Sequence, residues 1–546
     1  MDSVNPDNIT LSLTSGPSNN FVTPLLTDMY QLTMAYAYWK SDRQNEEASF
    51  DLFFRKCPFK GQFTIFAGLS EVLKFVEAFG FSEEEIDYLR TVMPGCEEGY
   101  FDYLKSLNAS GVKVHALPEG TVCFPRVPML QVSGPLGVCQ LLETTLLNLV
   151  NFPSLVATQA ARMKLAAGPG KVLMEFGLRR AQGPDGGMSA SKYAVMGGFD
   201  ATSNVQAGFK HGITIKGTHA HSFVLSYVGF EDIKNPMLAP KSGGDPVNLV
   251  DRVLGKREEL GYVHTNTGEL AAFTAYALSF PDGFLALIDS YDTERSGNLN
   301  FVLVALALEE LGYKPVGVRL DSGDLAYLSK SVKETWRQVA EQLNKPFFND
   351  CKVVASNDIN EKSLHELNEA DHQIDIFGIG THLATCQMQP ALGCVYKLTE
   401  LNNKPRIKLS NDLIKVSVPG KKKLFRLYGE DGLALADLML TSDEEPPAVG
   451  KEVLCLSPGD SSKRVHIIPS QVEELHTLVF DGGLTGSIPD LAESKARVQE
   501  QMSKFWPEHF GLQIPNNNVY KVSVSLKLFD LMKNLWEKET PIKVLK

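Results

Sequence analysis

No CxxC pair occurs anywhere in these 546 residues. The eight cysteines, at positions 57, 96, 123, 139, 351, 386, 394 and 455, are scattered, which excludes a zinc ribbon or a dithiol redox motif and predicts reduced thiols in the cytosol. An excess of positive charge is lacking too: 53 Lys and Arg stand against 65 Asp and Glu, a formal net charge of -12. That balance disfavours a dedicated nucleic-acid or anionic-membrane binder, although local basic clusters can still hold small anions. The first twenty residues contain no basic stretch followed by an apolar core, which predicts neither a signal nor a transit peptide and a cytoplasmic location. The sequons at Asn8 and Asn108 then carry little weight. Internal repeats and low-complexity tracts are also missing. What remains, 43% hydrophobic and 22% charged residues, is ordinary globular composition with enough apolar material for a sizeable core.

Residues 1 to about 22 are rich in Ser, Asn and Pro and read as a mobile tail, with order beginning near Pro24. In the 23–150 segment, Thr27 and Asp28 can cap a helix through Tyr30 and Met34 toward Tyr38, and SFDLFFRK from Ser49 reads as a strand. Leu69 to Phe79 reads as a helix. A leucine-rich helix spans Gly137 to Val150, Pro153 is expected to interrupt it, and an alanine-rich helix runs on to a stop at Gly168. From 151 to 394 short apolar runs alternate with helices: Val172–Phe176, Ile213–Gly217, Phe284–Ile288, Val316–Leu320, Val353–Ala355 and Ile374–Phe377, with helices at Phe301–Leu311 and Leu325–Leu343. Repeated β-α units imply parallel strands, and the expected product is an irregular α/β barrel. After Cys394 the segments YKLTEL, PRIKLS and KKKLFRLYG alternate around NN and EDG turns as antiparallel β material, and helices near Leu491–Phe505 and Val524–Lys538 finish the chain. The 395–546 segment is thus expected to form an additional α+β domain with the N-terminal part.

Chemistry concentrates after the apolar runs. EFGLRRAQGPDGG, from Glu175 to Gly187, sets two arginines in a glycine-studded turn, an arrangement suited to holding an anion. GTHAHSF follows at Gly217, VRLDSGDL at Val318 and GIGT at Gly378. DSGD opens a helix whose free amides favour a phosphate, although Asp321 and Asp324 could instead be simple caps. In GIGT, Gly378 and Gly380 leave backbone amides bare enough to cradle phosphate. His219 and His221, two apart, would share one face of a strand and could then bind a divalent metal, as in a barrel hydrolase; the alternative for each is an ordinary packed histidine.

In that order FGLRRAQGPDGG, GGFDATSN, GTHAHSF, VRLDSGD and GIGT closely resemble the nicotinate phosphoribosyltransferase family, from PLLTDMYQ at Pro24 past LGCVYKL at Leu392 and more weakly to LAESKA at Leu491. The resemblance implies a type II phosphoribosyltransferase-like barrel. It implies transfer of a phosphoribosyl group from phosphoribosyl pyrophosphate to nicotinate, coupled to ATP hydrolysis, in NAD biosynthesis. Mg2+ or Mn2+ is the implied cofactor, ATP a co-substrate, and a homodimer with shared active sites the implied assembly. By motif matching, Tyr30 and Phe176 look like the aromatic pair around the pyridine ring, with Tyr30 reaching across the dimer. Thr218 and Arg319 resemble nicotinate contacts, Arg179 and Thr381 phosphoribosyl pyrophosphate contacts, and His221 the histidine that ATP phosphorylates. Asp289 and Asp321 are candidates for metal or ribose hydroxyls.

Related enzymes that use nicotinamide carry aspartate where ATSN places Asn204, so Asn204 and Arg319 together favour a carboxylate substrate. One departure stands out: the family pattern requires no histidine at position 219. The competing readings are a nicotinamide-using transferase, a metal-dependent barrel hydrolase and a non-catalytic nucleotide sensor.

Overall fold

A computed structural model describes residues 16–410, 415–511 and 519–540. Two compact units emerge: Met1–Ala161 with Lys192–Gly198 and Cys386–Lys546, and Arg162–Ser191 with Phe199–Thr385. Residues 1–15 of the expected tail, Asn8 included, lie outside the described residues. Residues 16–22 correct the expected start of order near Pro24. The Ser18 amide and hydroxyl both donate to the Glu71 carboxylate at 2.9 Å, and Val22 is buried.

The first unit is built from both ends of the chain. One six-stranded sheet interleaves Glu47–Phe54, Lys113–Ala116 and Leu130–Pro135 with Cys394–Leu401, Lys404–Pro405 and Thr477–Asp481. A second is made wholly of later residues, with Phe425, Leu427, Leu438 and Leu440 in its core. Lys422, on the second sheet, meets Asp51 of the first in a fully buried ion pair at 2.7 Å. Pro153 does not interrupt its helix: Glu143–Ala167 is continuous. A proline leaves the carbonyl four residues earlier without its amide. That carbonyl, on Leu149, lies against the backbone of Gly68, at φ +99 and so close that a Cβ there would collide with it.

Arg426 is the polar centre of this unit. Its guanidinium donates to both Asp437 oxygens at 2.7 and 2.9 Å, to the Gln501 amide oxygen at 2.7 Å and to the Val122 carbonyl at 2.8 Å, and it lies 4.8 Å from the Phe505 ring centre. Both charges are fully buried. Removing one partner of such a pair strands the other, so Asp437→Ala is expected to lower stability by about 3–5 kcal/mol, measured from denaturant midpoints.

The second unit contains a six-stranded parallel sheet in the order Leu285–Leu287, Gly317–Leu320, Lys352–Ser356, Ile376–Ile379, Val172–Glu175, Ala201–Thr202. Helices Asn298–Glu310 and Leu325–Leu343 join successive strands. The run Ile213–Gly217 is not a strand; it touches the sheet only at a bridge between Ile215 and Thr202. The Ala201–Thr202 strand, which hydropathy does not mark, takes the edge beside Val172–Glu175. Strand alternation then sorts the residues. Val318, Leu320, Val353, Ala355, Phe377, Ile379 and Leu173 are buried on one face. The register aligns Arg319 with Leu287 and Val354, and Ser356 with Gly378. The other face therefore carries Arg319, Ser356 and Gly378 toward the carboxyl ends, with Asp289, Asp321 and Phe176 just beyond. Among the described residues no helix is long and apolar enough to cross a membrane.

Candidate active site

Phe176 follows its strand directly, and its amide donates to the Ile379 carbonyl at 2.8 Å. Its ring occupies the space that a side chain at 378 would need, so glycine is required there for a packing reason. Gly378 is thus a buried strand residue beneath an aromatic ring, which corrects its expected place in a phosphate cradle. Thr381 begins the short helix Thr381–Ala384 after Gly380. Arg179 and Arg180 sit in a single 3-10 turn, Leu178–Arg180, exposed and with no side-chain hydrogen bond or ion pair among the described residues.

Thr218 and Arg319 converge on one carbonyl: Thr218 Oγ1 lies 3.4 Å and Arg319 Nη2 3.1 Å from the His219 oxygen. Arg319 Nε is buried with no hydrogen-bond partner. Burial pulls this guanidinium below its ordinary pKa, with Asp321 and Asp289 opposing and Arg179 adding to the fall. A half-buried cation with an unused donor is poised for an anion.

His221 opens the helix His221–Leu225, while Gly217–Ala220 is a loop. The two histidines therefore do not share a strand face, which corrects the paired-ligand geometry. His219 is buried among Phe223, Phe273 and Tyr276, accepts the Leu287 amide at 3.3 Å on Nε2, and is pushed down to a pKa of about 4 by burial. It is a packed, neutral imidazole. His221 instead meets Ser290 Oγ at 2.9 Å through Nδ1, and its Nε2 stands 3.8 Å from both Asp289 Oδ1 and Asp321 Oδ2. Asp321 is no helix cap, since Ser356 donates to it; Asp324 is the cap of Leu325–Leu343, accepting the Tyr327 amide at 3.0 Å. Among the described residues no group of three or more His, Cys, Asp or Glu side chains could hold a metal ion.

Asn204 departs from its expected role. It is 1% exposed, its Oδ1 caps Val205–His211 through the Ala207 amide at 3.2 Å, and its Nδ2 donates to Ser191 Oγ at 3.1 Å. Ser191 in turn serves the buried Glu175 carboxylate at 2.8 Å, which also takes the Thr202 hydroxyl at 2.5 Å and the Gly177 amide. Asn204 therefore braces the turn behind the site. Tyr30 belongs to the first unit, on Met29–Lys40, and is 48% exposed.

Motif reading missed Ser290, Ser322 and Ser356, because a serine one residue beyond a marked acid or strand looks like filler until its partner is seen. It also missed a cation cluster in the first unit. There Lys397 lies beside Arg55 and Lys408, burial and their like charge pull its pKa down against the pull of Glu143, and Arg55 Nε is buried without a partner.

A parallel α/β sheet with arginine, carboxylates and a histidine gathered at its carboxyl ends is the plan of an enzyme acting on a small anionic substrate. Family models agree: the nicotinate phosphoribosyltransferase N-terminal domain matches residues 25–151, the family model residues 307–422, and the C-terminal domain residues 421–532. Nicotinate phosphoribosyltransferase from Dictyostelium discoideum is 51% identical over 538 residues, covering 97% of this chain and 91% of that protein. Nicotinate phosphoribosyltransferase 1 from Arabidopsis thaliana is 50% identical over 540 residues, 97% and 96% of the two chains. The crystal structure of human nicotinic acid phosphoribosyltransferase superposes with a TM-score of 0.83 at 43% identity, covering 93% of this chain and 99% of that one. Nicotinate-nucleotide pyrophosphorylase from Pyrococcus furiosus, 20% identical with a TM-score of 0.60 over 89% of this chain and 97% of that one, shares the fold. The chain belongs to the nicotinate phosphoribosyltransferase family, a family of enzymes.

The Asn204 geometry makes a sharp expectation. Asn204→Ala should lower stability by about 1 kcal/mol through the lost cap, read from the thermal midpoint, and leave the preference between acid and amide substrates unchanged.

Proposed function

We propose that this enzyme forms nicotinate mononucleotide and pyrophosphate from nicotinate and 5-phosphoribosyl 1-pyrophosphate, coupled to ATP hydrolysis through a phosphohistidine at His221, as a step of NAD biosynthesis. Arg319 carries the reading: the residue is half-buried and its unused Nε–H, itself buried, is a donor for the pyridine carboxylate, with Phe176 nearby in the register to stack on the ring. A neutral amide would gain less from the same cation, which favours nicotinate over nicotinamide without any help from Asn204.

In the reaction the ring nitrogen attacks the anomeric carbon as the carbon–oxygen bond to pyrophosphate breaks, the leaving oxygen keeping the electron pair. Negative charge grows on the departing group, and the unpaired Arg179 and Arg180 are the cations free to meet it. Mg2+ or Mn2+ fits as an ion brought in with the phosphates. Asp289, whose buried Oδ1 lacks a partner, and Asp321 would offer it hard oxygen ligands, and phosphate oxygens and water the rest. Such an ion, when bound, neutralises charge on the pyrophosphate.

For coupling, an imidazole nitrogen of His221 attacks the γ-phosphorus of ATP, ADP leaves, and water later releases inorganic phosphate. The Thr214–Lys216 stretch bonds to Thr202 at one sheet edge and the His219 ring accepts Leu287 at the other, which supports reading the sheet as an irregular barrel. A homodimer with Tyr30 contributed across it, in the cytosol, completes the reading.

The test mixes protein, nicotinate, phosphoribosyl pyrophosphate and Mg2+, with and without ATP. Wild-type protein is expected to make mononucleotide faster with ATP. His221→Ala is expected to fall to the ATP-free rate with an unchanged thermal midpoint; ATP stimulation that survives in that variant overturns the phosphohistidine.

A further inference from the structure

Three hydroxyls form a regular series along neighbouring strand ends. Ser290, after Leu285–Leu287, meets His221 Nδ1 at 2.9 Å. Ser322, after Gly317–Leu320, donates to Asp289 Oδ2 at 2.5 Å, beside the Asp321 amide on the same oxygen at 3.1 Å. Ser356, the last residue of Lys352–Ser356, donates to Asp321 Oδ1. Ser322 and Ser356 each reach back one strand to the carboxylate before them.

Each carboxylate thereby has one oxygen tied and one free. The free ones, Asp289 Oδ1 and Asp321 Oδ2, both stand 3.8 Å from His221 Nε2, beyond a direct hydrogen bond. Carboxylate torsions are broad rotors, so a bond to one oxygen fixes the orientation in which the other faces the imidazole. Burial does not oblige the arrangement at Ser322: its side chain is exposed and water could satisfy the hydroxyl, yet it is spent on Asp289.

We propose that Ser322 and Ser356, with Ser290 on the imidazole, are positioning residues that hold Asp289 Oδ1 and Asp321 Oδ2 about His221 Nε2 as one preorganised group. The inference rests on the proposed phosphoribosyl transfer. Loosening either carboxylate leaves the nicotinate contacts of Arg319 and Thr218 intact, so the loss falls on turnover and spares nicotinate affinity.

Ser322→Ala, Ser356→Ala and Ser322→Thr in the full chain, assayed for mononucleotide with ATP and Mg2+, test it. Each alanine variant is expected to lose about 10-fold in kcat with the KM for nicotinate within about 3-fold, and Ser322→Thr, which keeps the hydroxyl, to return to within about 3-fold of wild type. Thermal midpoints should not move. Alanine variants with kcat within about 2-fold of wild type overturn the assignment, as does a loss that follows the thermal midpoint and is not restored by threonine. Wild-type protein that makes no mononucleotide overturns the reaction itself, whereas active wild type with indifferent serine variants overturns only the positioning role.

Discussion

The second unit depends on one constraint, the two-residue alternation of parallel strands in a shared register. One face must be apolar to pack beneath helices, and Val318, Leu320, Val353, Ala355, Phe377 and Ile379 meet that demand with complete or nearly complete burial. The opposite face is then free to carry polar groups, and the register lines them up at one end of the sheet. Arg319, Ser356 and Gly378 belong to strands, while Asp289, Asp321 and Phe176 stand where the chain leaves them. Residues far apart in sequence are neighbours because the strands share a register, and the loops add only short extensions to it.

That logic also explains what could be read in advance. Five of the six parallel strands and the helix Leu325–Leu343 were legible from short apolar runs separated by helical spacing. Ile213–Gly217 misled because its apolar residues serve a single bridge at Ile215 and a buried Ile213, without a ladder. Pro153 misled because the helix Glu143–Ala167 carries it without a break, the freed Leu149 carbonyl lying against the backbone of Gly68. Asn204 misled because its amide faces the Ser191 and Glu175 network, a fact of side-chain direction that no motif contains. The supporting serines were invisible for the same reason.

Electrostatically the site is unfinished in a directed way. Glu175 has three donors and Asp324 its helix amide, so these acids are spent. Arg319 Nε and Asp289 Oδ1 are buried without partners, and Arg179 and Arg180 pair with nothing among the described residues. Unsatisfied buried polar atoms are costly, and a charged substrate is one way to complete these two.

The most direct measurement is nicotinate binding by calorimetry to the wild-type protein and to Arg319→Met, with nicotinamide as the control ligand. The account predicts that nicotinate weakens by about 30-fold or more, in line with ~2–5 kcal/mol for truncating one partner of a buried charge pair, while nicotinamide changes little. Equal nicotinate affinity in the two proteins would contradict it.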